Sequence, residues 1–291
     1  MNCPICLQAG HPWGAKDGYT LERCRGCLHL YATRRPDPAE LSRLYSRYCY
    51  EQQGLENVPP FVVARLRELL RPLLRPGRQT RLLDVGFGAG ALLKAAAELG
   101  FDAHGIETSP MAVAQARSHG LSAEEGDFRV APWPDASFDV VCMIELIEHL
   151  PEPLAFLRKA RQSLAPGGML FLTTPNGASL SARLLGPQWS VVAPPEHLQL
   201  FSPRSMRRAL AAAGFDVVRV RCEGANPTEL AAGLPWRRKT PASPSVSRVA
   251  TAQALNERLA RDWLGRTLKA TANAALSLTR LGDSLKVLGT A

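Results

Sequence analysis

An α/β fold built on a doubly wound, mostly parallel sheet is what this sequence predicts, with a small cysteine-bearing module before it and a helical insertion near its end. Three observations predict it. From Arg81 onward, short apolar stretches alternate with amphipathic ones, and strands separated by helices imply a parallel sheet covered on both faces. The first of these strands runs into the glycine-rich loop DVGFGAG, Asp84 to Gly90, the place where a doubly wound sheet lets backbone approach a ligand. Hydrophobic residues make up 46% of the 291 and charged residues 21%, enough apolar material for a sizeable core and too much for global disorder.

The elements follow in order. Four of the seven cysteines stand at Cys3, Cys6, Cys24 and Cys27, as C-x2-C-x17-C-x2-C. Each C-x2-C presents two sulfurs from one turn, and four thiolates close a tetrahedral zinc site, so the ion would be structural rather than catalytic. A pair of disulfides is the alternative. Residues 35–76 read as a helical linker or lid, with helices at Ala39–Tyr50 and Pro60–Leu74 ended by Arg-Pro-Gly at 75–77. A core at 77–222 follows. It comprises RLLDVG, a helix near Ala89–Leu99, DAHGIE, a helix Pro110–His119, SAEEGD, FDVVCMIE, a helix Pro153–Leu164 closed by Pro166-Gly167-Gly168, MLFLTTP, a helix Pro203–Ala213, and DVVRVRC. The stretch 223–249 is rich in Pro, Ser and Arg and reads as a linker; Thr251–Leu281 reads as one or two helices, with Leu255, Leu259 and Trp263 on one stripe.

Charge divides the chain unevenly. Residues 1–80 hold 12 basic and 7 acidic side chains, residues 81–218 hold 11 and 14, and residues 219–291 hold 12 and 5. Basic flanks suit nucleic acid, anionic lipid or a phosphorylated substrate, or are simply a solvated surface. No apolar run approaches the roughly 20 residues that cross a bilayer. With no N-terminal secretion pattern, the expected location is cytoplasmic, peripheral membrane contact being left to the C-terminal helices. Oligomeric state is not legible.

The glycine loop alone does not choose a cofactor, since dinucleotide and S-adenosylmethionine (SAM) sites share such turns. Its neighbours do choose. Asp84, two residues before Gly86, would oppose a pyrophosphate but favour a sulfonium and an ammonium. Glu107 closes the second strand, where it suits a ribose diol, and Asp127 closes the third, where it can accept from an adenine amino group or merely cap its turn.

DVGFGAG, GIETSP, EEGDF, FDVVCMIELIEHLPEP, LAPGGMLFLTTPN and HLQLFSPRSMRRALAAAGF, in this order, resemble the successive blocks of the class I SAM-dependent methyltransferases, with a core like that of ubiquinone-pathway enzymes. The resemblance covers about residues 80–222 and implies a Rossmann-like seven-stranded sheet. It implies that Asp84, Gly86, Gly88 and Gly90 line the methionine end of SAM, that Glu107 holds the ribose, that Asp127 and Phe128 border adenine, and that Glu145 stands near the cofactor. The family closes its sheet with an antiparallel strand, and GDSLKVLGT, Gly282 to Thr290, resembles that strand displaced to the C-terminus. Residues 223–281 are then an insertion and 282–291 the final strand.

Chemistry is expected from IELIEHLPEP and PPEHLQLF. His149 or His197 is the candidate general base, with Glu148 beside it, because imidazole titrates near working pH. Alternatively Glu145, Glu148, His149 and His197 resemble the divalent-metal set of ubiquinone-pathway O-methyltransferases and of small-RNA 2′-O-methyltransferases, where the metal would lower a hydroxyl's pKa. A bland reading makes Glu148 and His149 a helix-start feature. The preferred acceptor is a small-molecule hydroxyl on a sugar, aromatic or secondary metabolite. Carbon methylation of a sugar is one alternative, since the four-cysteine module is similar to that of certain deoxysugar C-methyltransferases. RNA is a less favoured partner, its support being the four-cysteine module, the basic flanks and the possible metal quartet, with Tyr31, Tyr45, Tyr48 and Tyr50 standing in for a clear aromatic stacking series.

Overall fold

The computed structural model describes residues 2–37, 39–40, 54–232 and 263–291. Most of the expected helix Ala39–Tyr50, part of the 223–249 linker and the start of the last helix lie outside the described residues. The chain forms two compact units: Met1–Arg35 with Thr174–Arg208 and Val220–Lys286, and Pro36–Thr173 with Ala209–Arg219 and Val287–Ala291.

The large sheet carries the alternation seen in the sequence. Its strands are β4 (Arg81–Val85), β5 (Asp102–Glu107), β6 (Ser122–Glu125), β7 (Phe138–Ile144), β8 (Leu164–Pro175), β10 (Asp216–Glu223) and β11 (Ser284–Thr290), in the order β10-β11-β8-β7-β4-β5-β6. β4 pairs parallel with β5 and β7, β5 with β6, and β7 with β8. The last strand runs against β8: the Ala291 N–H donates to the Gly168 carbonyl at the start of β8, and the Asn176 N–H beyond its end donates to the Asp283 carbonyl before β11. GDSLKVLGT is thus the displaced antiparallel strand, seated between β8 and β10. β8 begins five residues earlier than the expected MLFLTTP, with its register slipping opposite Phe138 and Val140, so Pro166-Gly167-Gly168 lies within the strand's span.

Strand periodicity explains why this sheet is buried on both faces. Leu82, Val140, Cys142 and Phe171 face a core formed with Val63 and Leu70 of α1 (Pro60–Leu70) and Leu92, Ala95 and Ala96 of α2 (Ala91–Glu98). The alternate residues Leu83, Val85, Val141 and Met143 are buried too, as a parallel sheet requires. Helix starts are set by local chemistry. Proline occupies the first helical position of α1, of α3 (Pro110–Ser118) and of α4 (Pro153–Ser163), where its missing N–H costs nothing. The Ser109 hydroxyl caps α3 by accepting from the Ala112 N–H. α1 stops at Leu70 and continues as one 3-10 turn, Arg71–Leu73, because Pro72 has no N–H to extend the α ladder.

The other unit has its own sheet, β1 (Gly10–Lys16), β2 (Tyr19–Cys24), β3 (Leu30–Ala32) and β9 (Gln199–Leu200), all antiparallel. Its core joins Tyr19, Leu21 and Leu30 to Leu185, Trp189, Val192, Leu198 and Leu200. The segment Met1–Arg35 therefore shares a core with α5 (Leu180–Leu185) and the residues up to β9. α6 (Pro203–Ala212) opens on a reciprocal cap in which Ser202 and Ser205 each accept the other's backbone N–H on the side-chain oxygen. The expected helix and loop at 223–281 are seen in part as α7 (Pro227–Ala232) and α8 (Trp263–Thr279). No helix among the described residues is long and apolar enough to cross a membrane.

Candidate functional site

The cofactor candidates fall in the second unit, at the C-terminal edges of β4, β5 and β6. Asp84 is the penultimate residue of β4, between Gly105 of β5 and Cys142 of β7. It is 2% exposed, and its Oδ2 has no hydrogen-bond partner among the described residues. Burial, with the Glu107 charge adding to it, pushes its carboxyl up to about 7, so the charged form is held at a cost that a cation would relieve.

The loop after it turns through three left-handed glycines, Gly86 (φ 68°), Gly88 (φ 53°) and Gly90 (φ 78°). The reasons for glycine differ. A Cβ on Gly86 would strike Leu146 at 2.8 Å, whereas a Cβ on Gly88 would meet nothing within 4 Å. Gly88 therefore faces open space that a ligand can enter, and Gly90 starts α2 as its left-handed N-cap. Glu107 ties this loop to its own turn. One oxygen accepts the Gly88 N–H at 3.2 Å; the other accepts the Thr108 N–H at 2.7 Å, the Thr108 hydroxyl at 3.1 Å and the Ser109 N–H at 3.1 Å. A carboxylate fixed by four donors is oriented before any ligand arrives.

Asp127 is occupied otherwise. Its carboxylate caps the 3-10 turn Phe128–Val130 and grips Arg129 through both oxygens, Nη2 to Oδ2 being 2.6 Å, which holds its acid below the usual carboxylate range. Arg129 also reaches Glu152 at 3.1 Å. The capping role weighed against adenine contact is thus the one visible among the described residues. Phe128 is buried, 6.0 Å from the ring of Phe156.

After β7 the chain bends at Glu145, which is exposed and adopts φ 49°. A non-glycine residue held there is strained, and such strain clusters at functional sites. Glu148 is fully buried, with the Nε2 of half-buried His149 at 4.0 Å from its Oε1. His197 belongs to the other unit, where its Nδ1 lies 2.6 Å from the Val191 carbonyl.

A family model described as a methyltransferase domain matches residues 55–220. The chain belongs to that methyltransferase-domain family. Ubiquinone biosynthesis O-methyltransferases of Xanthomonas campestris pv. campestris and Xanthomonas oryzae pv. oryzae are 42% and 41% identical over 123 residues, 36% of this chain. The chain spans about half the length of these curated relatives, 52% of each. Among solved structures, a SAM-dependent methyltransferase from Archaeoglobus fulgidus aligns with TM-score 0.53 at 18% identity, over 88% of this chain and all of that one. One from Mesorhizobium loti aligns with TM-score 0.50 at 19% identity, over 77% of this chain and 96% of that one. These likenesses speak for the fold.

The methyltransferase domain thus brings together a buried Asp84 carboxylate with one unpartnered oxygen, a glycine turn open at Gly88 and an oriented acid at Glu107. These residues fit a cationic amino-acid group and a ribose.

The first unit holds the four cysteines in one cluster, all sulfurs within 4.8 Å of one another. Cys3 and Cys27 are 3.6 Å apart, Cys6 and Cys24 3.4 Å, Cys6 and Cys27 3.4 Å. Zinc bonds of about 2.3 Å put tetrahedral sulfurs roughly 3.8 Å apart, so the cluster could hold that ion. The four are free thiols, not disulfides. The Cys27 thiol and the backbone N–H of Ile5 and Cys6 draw Cys3 down to about 5, toward the thiolate a metal takes.

What sequence reading missed is the symmetry of the two turns. Leu7 and Leu28, each just after a C-x2-C, adopt φ 60° and 62°, and their N–H groups donate to the carbonyls of Cys3 and Cys24 at 2.9 and 3.1 Å. The repeat C-x2-C-L was the available signal. Both leucines are exposed. Leu7→Gly and Leu28→Gly are expected to stabilise the protein by about 1 kcal/mol each, since glycine relieves the left-handed strain with little apolar burial lost. Chemical denaturation checks this; a lower midpoint in both variants would contradict it.

Proposed function

We propose that this chain binds SAM through Asp84, the Gly86–Gly90 loop and Glu107, and methylates a hydroxyl of a small-molecule acceptor. The observation that carries the reading is the buried Asp84 oxygen without a partner, set beside a glycine turn with open space at Gly88. When bound, SAM supplies an electrophilic methyl group on a sulfonium. Asp84 would accept the ammonium of its methionine part, Glu107 the ribose hydroxyls, and Asp127 with Phe128 would border the adenine. Such placement is the larger part of catalysis for an in-line displacement. His149 is the first choice to take the acceptor's proton, steadied by Glu148; His197 is the second. The Xanthomonas relatives named as O-methyltransferases support a hydroxyl acceptor.

A second reading gives Glu148 and His149, with Glu145 just after β7, a divalent metal that would make the hydroxyl more acidic. The buried Glu148 carboxylate with His149 at 4.0 Å favours it. Mg2+ or Mn2+ titrated into the full chain should then give a binding isotherm that Glu148→Gln abolishes, and no isotherm in the native protein leaves the metal-free base. For the cofactor, calorimetry with SAM and with its demethylated product is the direct test. Glu107→Ala is expected to weaken SAM by about tenfold to a hundredfold, the loss of one or two charge-assisted hydrogen bonds. Unchanged affinity there would remove Glu107 from the site.

A further inference from the structure

We propose that Arg23, Arg183 and Trp13 form a binding site for the phosphate group of a ligand, a site distinct from the cofactor residues and independent of the SAM reading. Arg23, on β2, donates through Nη2 to the Gly177 carbonyl at 3.1 Å. Arg183, on α5, donates through Nε to the Ala178 carbonyl at 3.1 Å. These are consecutive carbonyls, and successive Cα atoms are only about 3.8 Å apart. Two guanidinium groups from distant parts of the sequence are therefore hung on neighbouring peptide units, close enough for the Arg183 charge to act on Arg23.

Neither guanidinium has a carboxylate partner among the described residues, and the Nε of Arg23 is buried with no acceptor. Among the acids of this unit, Glu22 accepts the Tyr31 hydroxyl at 2.9 Å, and the Oδ2 of Asp283 accepts the Ser181 hydroxyl at 2.9 Å and the Asn226 N–H at 3.2 Å while its Oδ1 has no partner among the described residues; neither acid is bonded to Arg23 or Arg183. Burial and the Arg183 charge both lower the proton affinity of Arg23, the signature of two cations held close without an anion between them.

The chemistry selects phosphate. A carboxylate neutralises one guanidinium, whereas a phosphate monoester offers up to two charges and three acceptor oxygens, and guanidinium forks match its geometry. Arg183 is exposed while Arg23 is half-buried, so an anion can reach the pair from solvent. The Arg23 guanidinium carbon lies over the Trp13 ring, 5.4 Å from its centre. An aromatic ring therefore adjoins the pair and its fluorescence reports on a ligand there, base stacking on the ring being part of the proposal. The surrounding unit carries 20 basic against 8 acidic residues, which draws anions toward it. The phosphate is borne either by a free nucleotide or nucleotide-linked small molecule or by a polynucleotide.

Titration of the full chain at low salt with inorganic phosphate, uridine 5′-monophosphate and a ten-residue oligouridylate tests the site. All three are expected to bind, the nucleotide at least tenfold more tightly than phosphate, with quenching of tryptophan fluorescence that Trp13→Leu removes. Arg23→Gln and Arg183→Gln should each weaken the nucleotide at least tenfold while SAM affinity stays unchanged. Equal affinity for nucleotide and oligomer assigns the site to a small phosphorylated ligand; a tighter oligomer with a salt slope above two phosphates assigns it to a polynucleotide. Arg183 is at the surface, where losing its exposed bond to the Ala178 carbonyl is set against relief of the like charge on Arg23, so Arg183→Gln should melt within a few degrees of the native chain, which keeps the test valid if Arg23→Gln fails to fold. Absence of binding by all three probes, or an Arg183→Gln protein that binds as the native one does, overturns the proposal.

Discussion

Asp84→Asn is expected to weaken SAM by at least a hundredfold, about 3 kcal/mol, while making the ligand-free protein more stable. The two effects share one cause. The carboxylate is buried beside Glu107, with its acid pushed up to about 7 from an ordinary 3.8. A raised acid means that folding favours the proton. Its contribution is most favourable below about pH 4, where folded and unfolded chains are both protonated, and becomes a growing penalty as pH rises through 7. A tenfold change in proton affinity is worth about 1.4 kcal/mol, so above pH 7 this group costs the free protein a few kcal/mol. Asparagine has no charge to desolvate and recovers most of that. A bound ammonium also recovers it, by pairing with the charge, and asparagine cannot supply that pairing. SAM affinity of the native chain should therefore rise up to tenfold per pH unit between 5.5 and 7 and level off above, and Asp84→Asn should flatten the profile. Calorimetry and thermal denaturation across that range read both effects. A pH-independent native affinity would show that the Asp84 charge does not meet the cofactor.

Most of the large sheet was legible because its signals are local. Continuous apolar runs such as those holding Leu82–Leu83 and Val140–Met143 declare strands buried on both faces, and Pro110 and Pro153 declare helix starts. GDSLKVLGT was legible as a strand; its seat between β8 and β10 depends on pairings far apart in sequence. The glycine loop and its acids were legible for the same local reason. Three features were not. Arg129 consumes the Asp127 carboxylate from two residues away, and a GDFR string does not say whether arginine turns inward or out. Glu145 reads as an ordinary strand-end acid until its positive φ is seen. β9 is two residues long, too short for any periodic pattern, so nothing in the sequence joined Met1–Arg35 to the residues around His197.

That last connection gives the second large effect. Cys24→Ser is expected to abolish stoichiometric zinc and to unfold more than the cysteine turns. The second turn is fastened to residues 197–205 by buried polar contacts: the Ser202 hydroxyl donates to the Cys27 carbonyl at 2.8 Å, and the His29 Nε2 lies 2.9 Å from the Gln199 Oε1. β3 pairs Leu30 with Leu200 and Tyr31 with Gln199, and the Ala32 N–H donates to the Leu198 carbonyl at 2.9 Å. His29 is fully buried, and its acid is pulled down to about 4 by burial, so the ring is neutral and acts as a hydrogen-bonding strut. If the metal closes the turn that sets these contacts, its loss frees the strand next to His197. Hydrogen exchange should then rise together over Leu30–Ala32 and Gln199–Leu200 in Cys24→Ser, whereas Cys142→Ala keeps its zinc and its protection there. Structural zinc carries much of the folding energy of small four-cysteine modules, so the loss should exceed the few kcal/mol of a core truncation. Retained zinc in Cys24→Ser refutes the metal assignment. Zinc lost with protection of Gln199–Leu200 unchanged refutes the coupling alone, because the apolar core of Tyr19, Trp189 and Leu198 would then hold the strand without the ion.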